Sequence, residues 1–463
     1  VLYSFKGGLD GAYPEAGLTY VDGTLYGTTR NGGGSDRGTV YAISTSGTEH
    51  VIYSFPPGNG TYPNAALTNV NGTLYGTTPS GGTSNRGAVF AVSTAGEESL
   101  IYSFRASGDG EEPVADLTSV GDTLYGTTEY GGKACPGTAG CGTIFSLVKP
   151  TCLNTQCVYV YSGTGSSVGQ ITGYATNATS GNVPPLFQLA GSYTLFRILG
   201  RSGIAVGPDH KVYALVCGIN PSCTPQIEVF AAGATGNVSP IATIRGSHTG
   251  LIDGEGGVAV DNQGNIFATS GTYYPGQASI TVYPAGSNGD VTPSQTITGS
   301  YTDLYNPSGI AVDSSHNIYI DGEYGHRITV YGAGANGNVA PIQEIKGNAT
   351  QQGYDSGMAL DSAGNMYVAN PSNAILVFAA GATGNVAPIR VIKGSYTDYT
   401  QLSYPYGVAV DASNNVYASN NVQGDAYITM YASGANGNVK PIGIINGAAT
   451  GLNGYAGFGV AVR

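Results

Sequence analysis

Apolar and polar positions change over at short distances along the first 149 residues, and no stretch there keeps a helical period. Short runs rich in Tyr, Val, Thr, Ile and Phe are bounded by Gly, Asn, Asp and Ser, the signature of strands in a meander. The runs also repeat. "LYSF" at Leu2–Phe5 returns as "IYSF" at Ile52–Phe55 and Ile101–Phe104. "GTLYGTT" occupies residues 23–29 and 72–78, and "DTLYGTT" residues 122–128. After Gly-rich loops come "GTVYAIS", "GAVFAVS" and "GTIFSLV". Self-similarity at a period of about fifty residues marks a repeat architecture. Let a be the strand near Leu18–Val21, b the LYGTT strand, c the GTVY strand and d the LYSF strand. The order is then d-a-b-c three times over. The first d, Leu2–Phe5, has no a-b-c before it, and the last c, Gly142–Leu147, has no d after it. Three blades are too few to close a ring, since propellers typically use about four to eight. The pattern therefore predicts two unsatisfied edges, with Leu2, Tyr3, Ser4 and Phe5 on one and Thr143, Ile144 and Phe145 on the other. Natural sheets protect such edges, and few Lys or Pro residues lie near these.

From about residue 157 the phrases change. "GNVPP" at 181–185 is followed by "GNVSP", "GDVTP", "GNVAP" twice and "GNVKP", six variants in all. "GIAV" at 203 is the first of six copies in variant form, the last being Gly459–Val462. Taking GVAV as strand A, the VYVA-like run as B, the ITVY-like run as C and the run after GNVxP as D, the order is B-C-D, five full A-B-C-D units and a lone A. Six of each strand fit only if the last A joins the first B-C-D, which is how propellers close without a loose edge. The expectation is an all-β chain: a six-bladed β-propeller over residues 152–463, preceded by three blade-like four-stranded repeats. Residues 1–149 and 150–463 form separate domains. Gly459–Val462 pairs in the blade of Val158–Tyr161, Ile171–Tyr174 and the strand near Leu186–Leu189. The A–B turns, such as Val260–Asn265 and Val312–Asn317, place Asp, Gly and Asn where a hairpin needs Asx-turn or left-handed geometry.

"GIAVDSSHNIYIDGEYGHRITVY" resembles an NHL-type propeller repeat, and the likeness covers nearly all of the second half. The LYGTT…GG…GTVF repeat resembles the GloVer-type tandem repeats of secreted or surface-anchored bacterial proteins. The resemblance implies a bacterial source and a propeller fold. It implies little about activity, because such propellers serve as scaffolds, binders and occasionally enzymes.

Composition narrows the function classes. Gly is 74 of 463 residues and Tyr 34, with no Trp and three Met, which suits an all-β chain. No run of eighteen apolar residues exists, so nothing inserts in a membrane as a helix. Val1 is not an initiator methionine and no signal-peptide pattern precedes it, so the chain reads as processed or trimmed. Six cysteines fall in close pairs, Cys135/Cys141, Cys152/Cys157 and Cys217/Cys223. Their proximity favours local pairing, and three disulfides imply an oxidising, extracellular or cell-surface compartment. Spacings of this kind with no His nearby do not suit zinc. Only 10% of residues are charged and the formal net charge is −12, with the basic residues scattered. Nucleic acid and anionic membranes are poor partners for such a surface.

The five His fall at unrelated positions of the repeats and read as exposed structural residues. No HExxH, GxSxG or P-loop pattern occurs, no catalytic constellation emerges, and no cofactor or metal is implied. The B–C and D–A loops of the propeller carry Tyr beside carboxylates and amides: Tyr273, Tyr274, Tyr305, Asp321, Glu323, Tyr324, Asp355, Tyr404, Tyr406 and Asn421. Flat rings beside hydrogen-bonding groups suit a sugar, though an ordinary loop face or a protein contact looks the same. Two readings follow. The leading one is an extracellular structural protein that self-associates with copies of itself through open blade edges, as a surface filament or matrix subunit. The other is a carbohydrate-binding, lectin-like adhesin that recognises glycans through the Tyr-rich face. An enzyme built on the propeller is a distant third.

Overall fold

The computed structural model describes all residues except 22, 58–59, 71–72, 95, 97, 106–108, 122, 133–139, 149–151, 153–155, 164–168, 177–179, 182, 184, 192–202, 218–223, 253–255, 272–276, 323–324, 355, 395–400, 423–424, 448–449, 451 and 453–454. It is an all-β chain of repeated four-stranded antiparallel sheets. Two compact units divide at Val1–Pro150 and Thr151–Arg463. No helix among the described residues is long and apolar enough to cross a membrane.

In the first unit the first repeat forms a sheet of Thr19–Val21, Thr24–Thr29, Thr39–Ser44 and Glu49–Ser54, in that order. The second repeat does the same with Thr68–Val70, Thr73–Thr78, Ala88–Ser93 and Glu98–Ser103. The third pairs Thr118–Val120, Thr123–Thr128 and Thr143–Val148, with no fourth strand in that sheet among the described residues.

The LYGTT phrase can now be decoded residue by residue. Leu74 packs back against the first repeat, while Tyr26 packs forward onto the second. The glycine makes room: a Cβ on Gly76 would stand 2.4 Å from the Phe90 ring, and one on Gly126 at the same distance from Phe145. Those rings lie across the glycine so that each can meet the Phe of the preceding LYSF edge-on, with centroids 5.0 Å apart for both Phe55–Phe90 and Phe104–Phe145. The first threonine reaches the next repeat, Thr28 donating to the Ala65 carbonyl and Thr77 to that of Ala115. The second turns inward, with Thr29 and Thr39 hydroxyls 2.7 Å apart, as are those of Thr128 and Thr143. Ala88 replaces that partner in the second repeat and leaves the buried Thr78 hydroxyl without one among the described residues.

The second unit holds six sheets. Blade one joins the final strand, Tyr455–Val462, to Cys157–Gly163, Gln170–Ala175 and Phe187–Leu189. Blades two to six cover residues 204–244, 258–298, 307–346, 357–393 and 405–445. Each hydrophobic core is shared by two neighbouring blades, one and two through to six and one, so the cores run round a closed ring. The glycine opening GVAV is dictated by crowding of neighbouring A strands. A Cβ on Gly257 would stand 2.6 Å from Ile310, and one on Gly357 2.6 Å from the Tyr406 carbonyl. An aromatic side chain at the end of each C strand is buried, Tyr174, Phe230, Tyr283, Tyr331, Phe378 and Tyr431 in blades one to six, and Tyr283 donates its hydroxyl to the Thr249 carbonyl at 2.6 Å. Burial pushes its phenol up to about 12.

The GNVxP phrase has a role beyond turning the chain. Its glycine forms a parallel bridge to the D strand of the preceding blade: Leu189 with Gly236, Ile244 with Gly289, Ile297 with Gly337, Ile345 with Gly384 and Ile392 with Gly437. Gly337, for example, donates to the Thr296 carbonyl at 2.7 Å and accepts from Thr298 at 3.2 Å. All five glycines have φ between 73° and 82°, where a side chain would be strained. Ser180–Gly181, from the first copy of the phrase, pairs in parallel with Ile444 and Ile445 of blade six. The ring is thus fastened twice, once by the C-terminal strand and once by this clasp.

The A–B turns are closed by their own residues. Oδ1 of Asp261, Asp313, Asp361 and Asp411 accepts the amide of the Asn four residues on, and Oδ2 accepts that Asn's side chain. Tyr319, Tyr367 and Tyr417 also donate to Oδ2 of their Asp. Blade three has Phe267 at that place, and His316 of blade four supplies Nδ1 at 2.9 Å from Asp261 Oδ2 instead.

The Cys152–Cys157 disulfide is present. Cys141 is disulfide-bonded, but Cys135 and Cys223 lie outside the described residues, and with them the other two predicted pairings.

Candidate functional site: the open ends of the repeat stack

Leu2–Phe5, expected as a strand, is not one: among the described residues no c strand lies beside it to pair with. It nevertheless occupies the d position ahead of the first repeat. Phe5 meets Tyr41 edge-on at 4.9 Å, as Phe55 meets Phe90. The Tyr3 hydroxyl donates to Asp10 and the Lys6 amide donates to the same carboxylate, as Tyr102 and the Arg105 amide do to Asp109. The hydrogen bond to Asp10 raises the Tyr3 phenol above its ordinary range and lowers the Asp10 carboxyl. Leu2 also lies over Gly47 as Ile52 lies over Gly96. The segment is therefore held by the sheet that follows it.

The other end is the forward face of the third repeat. Ile144 is 83% exposed, whereas its counterparts Val40 and Val89 are fully buried by the repeat that follows each. Tyr125 is 42% exposed against 7% for Tyr26 and Tyr75. Val120 and Val148 are exposed as well, and so are Thr118 and Thr127, whose counterparts reach carbonyls of the next repeat. The backward face of the first repeat is bare in the complementary way. Leu18 is 52% exposed against 5% for Leu67 and 4% for Leu117, and Tyr13 and Pro14 are exposed beside it. Of these residues only Ile144 was singled out by sequence reasoning. The others become visible when each repeat is laid over the next and burial is compared position by position.

The Tyr-rich face is only partly described. Tyr273, Tyr274, Glu323, Tyr324 and Asp355 lie outside the described residues. Tyr305 is half-buried, its carbonyl against Gly322, next to Asp321, which is fully buried on the second strand of blade four. Tyr404 is exposed, its amide donating to Asn373 Oδ1 at 2.9 Å, and Tyr406 is half-buried. The Asn421 amide donates to the carbonyl of Ser403, beside Tyr404. The structure thus sets the Tyr305 backbone beside Gly322, next to the buried Asp321, in blade four, and the Ser403 carbonyl, next to Tyr404, against the Asn421 amide in blade six.

These features define a tandem β-repeat protein whose blade-like sheets are stacked in one unit and closed into a ring in the other. Residues 1–196 match the family described as Gloeobacter/Verrucomicrobia repeat, which takes in the three repeats and the first strands of blade one. No curated protein matches the chain. Among solved structures, the chain is similar to a protein of unknown function from Bacteroides caccae, at 10% identity and a TM-score of 0.46 over 67% of this chain and 99% of that one. It is also similar to the extracellular domain of a protein named as a hybrid two-component system from B. thetaiotaomicron, at 13% identity and a TM-score of 0.34 over 90% of this chain and 56% of that one.

Proposed function

We propose that this chain is an extracellular structural protein that self-associates through the open ends of its repeat stack, as the subunit of a bacterial surface filament or matrix. The observation that carries the reading is the forward face of the third repeat, where Ile144 and Tyr125 stand in solvent at positions the same chain buries twice over. An apolar sheet face of this kind is an interaction surface in wait of a partner. The Cys152–Cys157 disulfide supports an oxidising compartment. The second unit, whose "GIAVDSSHNIYIDGEYGHRITVY" resembles an NHL-type repeat, serves as a rigid body carried by each subunit. Its ring is closed, so its blade edges are not offered for pairing.

The test is association measured by sedimentation velocity across a wide range of concentration. The native chain is expected to grow with concentration. Ile144→Asp places a charge on the face and is expected to weaken association by at least about tenfold, with an unchanged melting temperature because the site is exposed. A native chain that stays monomeric throughout overturns the reading. The alternative, a lectin-like adhesin, draws on the exposed Tyr404 beside Asn421. It predicts glycan-array binding that Tyr404→Ala abolishes and Ile144→Asp leaves intact.

A further inference from the structure

We infer that residues 2–5 of one copy complete the third repeat's sheet of a second copy by strand addition, with Ser4 opposite Thr143 and Tyr3 opposite Ile144. This rests on the self-association reading and names its partner, a second copy of the same chain joined head to tail.

The missing strand is an internal feature of the fold. The third repeat ends on Thr143–Val148, and the next strand along the chain, Cys157–Gly163, is paired on both sides within blade one, by Gln170–Ala175 and by Tyr455–Val462. The outer edge of Thr143–Val148 is therefore open among the described residues. The strand that would fill it has a known sequence, because the first two repeats each show one. Thr39 pairs with Ser54 and Val40 with Tyr53, after which a bulge brings Tyr41 opposite Val51. Ala88 pairs with Ser103 and Val89 with Tyr102, and the same bulge brings Phe90 opposite Leu100. Laying Val1–Phe5 on those strands puts Ser4 at Thr143, Tyr3 at Ile144 and Val1 at Phe145. The segment is already held in the d position by the first repeat, so little ordering is left to be done on docking.

The faces around that strand match as well. The internal junctions use threonine hydroxyls on carbonyls, Thr19 to Leu67 and Thr28 to Ala65, then Thr68 to Leu117 and Thr77 to Ala115. Continued once more, Thr118 and Thr127 meet the carbonyls of Leu18 and Ala16 on the copy that supplies residues 2–5, while Tyr125 and Ile144 cover its Leu18 and Leu25. The charges agree. Arg86 is paired with Glu111 across the second junction. At the new junction the corresponding residues are Cys141 and Ala12, so this position buries no charge. A contact between two different patches is heterologous, so it either closes into a ring of subunits or runs on as a fibre.

The experiment mixes full-length Ser4→Cys chains with Thr143→Cys chains, oxidises them gently and maps the linked peptides. Tyr3→Cys with Ile144→Cys gives a second pair in the same register, and Ser4→Cys with Val148→Cys is out of register. Sedimentation of each variant reports association independently. The expected result is a covalent dimer linking position 4 to position 143, and likewise 3 to 144, at about tenfold or more the yield of the out-of-register pair, since a disulfide tolerates only opposed Cβ atoms. Association accompanied only by out-of-register links, or by links between two copies of position 143, overturns the strand addition and leaves self-association standing. Failure of the native chain to associate at any concentration overturns both.

Discussion

Removing residues 456–463 collapses the cooperative unfolding of the second unit and lowers its melting temperature by about 10 °C or more. Those residues supply nearly all of the strand Tyr455–Val462, the innermost strand of blade one. Val158 faces Val462, Tyr159 faces Ala461 and Val160 faces Val460, and Arg463 exchanges backbone hydrogen bonds with Cys157 at 2.8 and 3.0 Å. Val158, Val160 and Tyr159 are buried by this arrangement. Exposing them, with the loss of Val460 and Val462 from the core shared by blades six and one, forfeits roughly 1.5–3 kcal/mol for each large side chain. A loss of roughly 5 kcal/mol or more corresponds to at least about 10 °C for a unit of this size. Calorimetry of the truncated chain is the measurement. An unchanged second transition would show that the blade does not depend on its last strand.

The second large effect is on pH. Glu228 is fully buried on the third strand of blade two. Its Oε1 accepts from Gln226 Nε2 at 2.5 Å, and Oε2 has no partner among the described residues. Burial raises its carboxyl from 4.5 to about 8, against smaller opposing pulls from the Gln226 hydrogen bond and the Arg245 charge. In the unfolded chain this group releases its proton near 4.5, while the folded chain keeps it until about 8. Between those values the folded state holds the extra proton, so the contribution of Glu228 to stability is most favourable below pH 4.5, falls as pH rises and levels off above 8. At about 1.36 kcal/mol per unit, the total is on the order of 5 kcal/mol. Glu228→Gln removes the ionisation and keeps the shape. Thermal melts from pH 5 to 8.5 are expected to diverge, the variant matching the native chain at the acid end and exceeding it clearly at pH 8. Parallel profiles would mean that Glu228 is not what titrates.

The strand phrases were legible because each carries its own spacing and its own turn residues. The b and c strands of all three repeats fall on LYGTT and GTVY, and the A–B turns are closed by the Asp and Asn that announced them. Leu2–Phe5 failed as a strand for a reason that no local pattern expresses. A strand needs a neighbour, and among the described residues none lies beside this segment, while the side chains of Tyr3 and Phe5 are still held. In the sequence GNVxP serves only to mark the D strand that follows it. Its bridges to the preceding blade depend on how two blades register, which lies beyond any window along the sequence. Asp321 was placed on a binding face from its position after a strand, yet it is fully buried. The exposure of Ile144 is equally invisible locally, since "GTIFSLV" reads like its buried counterparts. What exposes Ile144 is the absence of a following repeat, and that absence can be counted.

The clasp of each GNVxP glycine on the blade before it bears on how such a ring changes over generations. Every period of the second unit carries one edge and the fastener for another. A tandem duplication of exactly one period therefore adds both together, wherever in the period its breakpoints fall, and a deletion removes both. Unequal recombination can vary the blade number without leaving a raw edge behind. In the repeat stack the Tyr62 amide donates to the Arg37 carbonyl and the Glu112 amide to that of Arg86, but among the described residues no strand joins the first sheet to the third, so a change in length keeps both open faces and alters only the distance between them.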